Sequence, residues 1–106
     1  MFEEISVLEL NEKIKNKDDF ILLDVRNMHE VVFSKINGSI HIPMNEVPNR
    51  LSEIDSSKDI IVQCKSGKRS ARVCEYLSKE NYKNVWNLKG GIIAWSHEID
   101  PTIQVY

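Results

Sequence analysis

Short apolar runs alternate along this chain with stretches of helical period. Ile21-Leu22-Leu23 leads into Asp24-Val25, Ile60-Ile61-Val62 leads into Gln63-Cys64, and Val85, Trp86 and Leu88 stand within 84–88. Runs apolar at successive positions predict strands buried on both faces. Between them, apolar residues recur at helical spacing in three places: Val7, Leu8, Leu10 and Ile14; Val47, Leu51 and Ile54; and Ala71, Val73, Cys74 and Leu77. Two further short strands are predicted at 4–6 and at 40–42, the second closed by Pro43, which brings the count to five. Strands alternating with helices predict the α/β class, with a five-stranded, mostly parallel sheet flanked by helices on both faces. Neither a repeat nor a linker-like stretch interrupts the pattern, so one domain is expected over residues 1–106.

Composition narrows the class of protein. The chain is 42% hydrophobic and 28% charged, with four Gly and three Pro, as in a globular domain rather than a disordered or fibrous one. Its longest run without a charged residue or histidine, Gly90 to Ser96, is too short to span a bilayer, and Met1-Phe2-Glu3-Glu4 lacks the order of a signal peptide. A cytoplasmic protein with no membrane partner is therefore expected. The net charge of -2 excludes the global basic field that favours nucleic acid, although positive charge gathers between Lys65 and Arg72. Two cysteines and three scattered histidines make neither a disulfide framework nor a set of metal ligands, so no metal or cofactor is expected.

The chemistry concentrates in Cys64-Lys65-Ser66-Gly67-Lys68-Arg69-Ser70, which follows a buried strand and precedes a helix predicted to start near Ser70. Ligands bind at the C-terminal ends of the strands in an open α/β sheet, because loops and helix N-termini converge there. Gly67 allows the loop to turn its N–H groups inward as an anion-binding nest, and Lys65, Lys68 and Arg69 add positive charge. Each of these features favours a thiolate, so Cys64 is predicted to be a reactive cysteine.

Four blocks of the chain, in order, resemble the rhodanese domain. They are Leu22-Leu23-Asp24-Val25-Arg26 with Glu30 following, Ile36-x-Gly38-Ser39-x-His41-Ile42-Pro43, the loop from Cys64 to Ser70, and Asn87-Leu88-x-Gly90-Gly91-Ile92-x-Ala94-Trp95. The resemblance implies a parallel five-stranded sheet, a cysteine that accepts sulfur in a cradle of loop amides, and an arginine that closes the loop; Cys64 and Arg69 hold those two positions. The chain departs from the family pattern at Ser34 and Lys35, commonly Gly-His, and at Asn37, commonly Pro. The end of the chain, from Gly91 through Ile99-Asp100-Pro101-Thr102, is similar to the tails of rhodanese domains fused to ubiquitin-activating-like adenylyltransferases.

Loop length separates two reactions. Cysteine phosphatases of related architecture carry five residues between Cys and Arg and a His before the Cys, whereas here four residues separate Cys64 from Arg69 and Gln63 comes first. The shorter loop suits a single sulfur atom. Sulfur transfer from a small anionic donor to a thiophilic acceptor through a Cys64 persulfide is the expected reaction, with Lys65, Lys68 and Arg69 attracting the donor. A sulfur-delivery or docking module for an acceptor protein is the alternative, and phosphate hydrolysis the weaker one. Around the loop, Arg26 and Glu30 are read as an ion pair, either near the active face or exposed, and Asp24 as an acceptor of backbone hydrogen bonds. Cys74 shares a helical face with Leu77 and is read as a core residue. His29, His41, Gly90-Gly91 and Trp95 are assigned to the fold.

Overall fold

The computed structural model describes residues 2–105. Five strands, β1 (Glu3–Ile5), β2 (Phe20–Asp24), β3 (Ile40–His41), β4 (Asp59–Gln63) and β5 (Val85–Leu88), form one sheet in the order β1-β5-β4-β2-β3. Every strand pair is parallel, so the expected mostly parallel sheet is wholly so. Three helices, α1 (Val7–Lys15), α2 (Met28–Phe33) and α3 (Lys68–Lys79), lie between strands, and α4 (Gly91–Glu98) follows β5.

The alternation of side chains along the central strands divides the core into two layers. Ile21, Leu23, Ile60 and Val62 face one cluster, completed by Val73, Cys74 and Leu77 of α3 and by Val47 and Ile54. Leu22 and Ile61 face the other, completed by Val7 and Leu10 of α1 and by Ile92 and Trp95 of α4. The central strands are apolar at successive positions because both of their faces are covered. No helix among the described residues is long and apolar enough to cross a membrane.

The structure departs from expectation between 44 and 53. Instead of one amphipathic helix, two 3-10 turns occupy Met44–Asn49 and Leu51–Glu53, and Pro48 lies inside the first. Proline lacks the N–H that an α-helix would use there, which favours short 3-10 pieces. Val47 and Ile54 still reach the core. The helix after the cysteine also begins earlier than expected, at Lys68 with Gly67 as its N-cap, so Arg69 and Ser70 lie within the first turn.

Candidate active site

Cys64 directly follows β4, the middle strand of the five, with β2 on one side and β5 on the other. The residue is only 1% exposed. Gly67 adopts a φ of +107°, a conformation that glycine reaches without the steric cost of a Cβ. With that turn, the Gly67 N–H donates to Cys64 Sγ at 3.1 Å. The early start of α3 brings the Ser70 hydroxyl within 3.2 Å of the same sulfur. Burial pushes the Cys64 thiol up, but the Ser70 hydroxyl and the N–H groups of Ser70, Gly67 and Ser66 outweigh it and leave the thiol below its ordinary value. The thiolate is favoured as expected, chiefly by hydrogen-bond donors, and the Arg69 charge interacts with Cys64 as well.

The loop's cationic side chains are arranged differently from the expectation. Arg69 points to α2, where it makes a bidentate ion pair with Glu30 at 2.7 and 2.9 Å. Glu30 Oε1 also accepts from the Asn27 N–H at 2.9 Å, so one carboxylate both caps α2 and ties it to α3. The Arg69 hydrogen bonds, opposed by burial, hold the Glu30 carboxyl down to about 2. Arg26 reaches only the Glu30 carbonyl, at 3.5 Å, and is not the ion-pair partner of its carboxylate. It is 2% exposed and pairs with Asp24, which is fully buried. Three guanidinium contacts to the Asp24 carboxylate span 2.8 to 3.2 Å, and the carboxylate also accepts from the Arg26 N–H. A buried charge needs a partner of this kind, and two charges so close in sequence found each other across the bend that follows β2. Arg26 goes on to donate to the Ser34 carbonyl at 2.7 Å, and the Ser34 hydroxyl donates to the Gln104 carbonyl at 2.7 Å. The segment that departs from the family pattern is thus held by Arg26 on one side and by the end of the chain on the other. His41, assigned to the fold, donates from Nε2 to the Arg26 carbonyl at 2.7 Å. Lys65 is half-buried, while Lys68 and Ser66 are exposed at the mouth of the loop.

Three further residues at the site were not singled out for it from the sequence. Asn87 of β5 donates from Nδ2 to the Gly67 carbonyl at 3.1 Å and accepts from the Ser70 hydroxyl at 2.5 Å. Gln63 is fully buried and donates to the Cys64 carbonyl at 3.0 Å. Gly91, assigned only to the fold, also shapes the loop. A Cβ on it would collide with the Lys65 carbonyl and lie 2.6 Å from the Cys64 carbonyl oxygen. That close approach lets the N–H groups of Ile92 and Ile93 donate to the carbonyls of Cys64 and Lys65 at 3.0 and 3.2 Å. The N-terminus of α4 thereby clamps the backbone at the start of the cysteine loop. The Asn-Leu-x-Gly-Gly block begins within β5, and its approach to the cysteine loop comes from the pairing of β5 with β4.

A cysteine seated at the C-terminal end of a central parallel strand, its sulfur enclosed by loop donors, is found together with a sequence match over most of the chain. The family profile described as Rhodanese-like domain matches residues 6–98. The chain belongs to the rhodanese-like family. A sulfurtransferase of Allochromatium vinosum is 36% identical over 103 residues, covering 97% of this chain and 96% of that protein. The crystal structure of a rhodanese-like domain protein from Staphylococcus aureus superposes with a TM-score of 0.85 at 28% identity, covering 99% of both chains. A rhodanese-bearing relative of the kind suggested by the chain's tail is also found. The adenylyltransferase and sulfurtransferase MOCS3 of Arabidopsis thaliana is 26% identical over 118 residues, covering 96% of this chain and 25% of that protein.

Proposed function

We propose that the protein is a sulfurtransferase that carries a sulfane sulfur on Cys64 and takes it from a small anionic donor such as thiosulfate or a polysulfide. The observation that carries this reading is the direction of the loop donors. The Gly67 N–H and the Ser70 hydroxyl converge on Sγ itself, at 3.1 and 3.2 Å, and so favour the thiolate. A cradle closed around the sulfur, with a buried Gln63 where the phosphatases have His, supports sulfur transfer over phosphate hydrolysis. Near-complete burial of Cys64 also suits a donor with a slender reactive end.

In the first half-reaction the Cys64 thiolate attacks the outer sulfur of thiosulfate. A bond forms between Sγ and that sulfur, the sulfur–sulfur bond of the donor breaks, and its electron pair leaves with sulfite. Lys65 and Lys68 stand at the loop to draw the anion in. Arg69, paired with Glu30, acts in this reading mainly to fix the loop against α2, and its charge and remaining N–H groups contribute to donor binding. In the second half-reaction a thiophilic acceptor attacks the outer sulfur of the persulfide and the thiolate is restored, which makes the kinetics ping-pong. A thiol or a sulfur-carrier protein is the proposed acceptor, and the relation to the adenylyltransferase and sulfurtransferase supports the second. The chemistry needs a free thiolate, which suits the reducing cytoplasm. Intact-mass spectrometry after incubation with thiosulfate tests the proposal. The expected result is a gain of one sulfur atom that cyanide removes; phosphate-ester turnover with no persulfide would overturn it.

A further inference from the structure

The Ser70 hydroxyl has one proton and two acceptors within reach. Its Oγ lies 3.2 Å from Cys64 Sγ and 2.5 Å from Asn87 Oδ1. The Asn87 amide cannot turn over to relieve this, because Nδ2 donates to the Gly67 carbonyl and the reversed amide would set two acceptor oxygens against each other. Ser70 and Asn87 are 0% and 3% exposed, so bulk water does not supply a substitute donor. While Cys64 is a thiol the network is complete: Sγ–H donates to Ser70, and Ser70 donates to Asn87. Once the sulfur is a thiolate it can only accept, and Ser70 can satisfy either the thiolate or Asn87.

We propose that Asn87 is a positioning residue for sulfur transfer, competing with the Cys64 thiolate for the single Ser70 proton, so that the hydroxyl serves Sγ when that atom is charged and returns to Asn87 when it is not. Its consequence for turnover rests on the persulfide reading above. In the persulfide, Sγ is a neutral divalent sulfur and a poor acceptor, so the hydroxyl is held by Asn87. On discharge an acceptor thiol gives its proton to the outer sulfur of the persulfide anion and, as the thiolate, attacks that sulfur. A new sulfur–sulfur bond forms on the acceptor, the bond to Sγ breaks, and its electron pair stays on Sγ, with no oxidant consumed. The hydroxyl then turns back to the charge that has appeared. Asn87 thus stores the donor beside the leaving group without letting it favour the thiolate permanently.

The opposing view is that Asn87 only braces the loop through Gly67, and the two views differ in sign. A brace, once removed, loosens the cradle and raises the pH at which Cys64 ionises; a competitor, once removed, lowers it. Lys65, Lys68, Arg69, Cys74, Glu30 and the Asp24–Arg26 pair surround the loop and are common to the natural chain and all the variants compared. The test is the rate of alkylation by iodoacetamide against pH for the natural chain, Asn87→Ala, Ser70→Ala and the double variant. Asn87→Ala should move the midpoint down by about half a unit to one unit, and Ser70→Ala should move it up by at least as much. The double variant should match Ser70→Ala, because the competition requires the Ser70 proton. An upward or absent shift in Asn87→Ala, or a downward shift that persists in the double variant, would overturn the inference. If Asn87→Ala does not fold, Asn87→Leu removes the same acceptor while filling the space, and is read the same way. A natural chain that forms no persulfide while these shifts hold would remove the sulfur-transfer reading and leave the proton competition standing.

Discussion

Cys64 and Cys74 lie ten positions apart in the chain, line the same core cluster, and are 1% and 0% exposed. Their thiols are nonetheless driven in opposite directions. Burial pushes Cys74 up to about 12, with repulsion from Cys64 adding to it, because its position inside α3 offers no donor to offset the lost water. Burial acts on Cys64 in the same sense, but the loop turns three backbone N–H groups and a hydroxyl toward it and the balance reverses. Solvent exposure, the usual guide to a reactive cysteine, would not separate these two residues. What separates them is backbone that is free to aim its donors, available in a loop and in the first turn of a helix and absent in the helix interior, where the N–H groups are committed to the helix itself.

The strongest way to break this comparison is to remove the nucleophile. Cys64→Ser keeps the shape and should lower sulfur transfer to cyanide by at least about a thousandfold, with the melting temperature little changed. A Ser variant that kept turning over would place the chemistry elsewhere, Cys74 included.

A subtler challenge is directed at the ion pair beside the loop. Glu30→Gln should weaken the link between α2 and α3 and cost about 1 kcal/mol at neutral pH. Because the folded carboxyl is held at about 2, below its usual 4.5, its contribution is complete above pH 4.5 and is lost as the pH falls through about 2. Thermal melts from pH 7 downward should therefore show the natural chain losing stability across that window faster than the variant. The alkylation midpoint of Cys64 should stay within about half a unit in Glu30→Gln, since hydrogen bonds outrank charges at that sulfur. A larger movement would return the cationic side chains to the leading role first expected of them.

Cys74→Ala should have the smallest effect. A loss of about 1 kcal/mol is expected from the missing sulfur in the core, with sulfur transfer within about twofold of the natural chain. Chemical denaturation and a thiosulfate assay read the two together. Activity falling as far as in Cys64→Ser, in a folded protein, would give Cys74 a redox part.

Much of this protein was legible in its residues because the signals were local. Apolar runs marked the central strands, and the order of four blocks pointed to the family. Periodicity was a weaker guide at 47–54, where Pro48 replaced an expected helix with 3-10 turns. The pairing of charges was not legible at all. Arg26 and Glu30 stand one helical turn apart in sequence, yet Asp24 takes the first and Arg69, thirty-nine residues away, takes the second. Nor could spacing show that Asn87 and Gly91 reach the cysteine loop, since both arrive through the adjacency of β5 to β4. The sequence by itself therefore determined most of the elements and the family, and singled out Cys64 as the proposed nucleophile, because these depend on neighbours along the chain. Only the tertiary structure decided which donors meet the sulfur and which charges neutralise each other, because hydrogen bonds and ion pairs are settled by distance in space, within a few ångströms and after burial has removed the competing water.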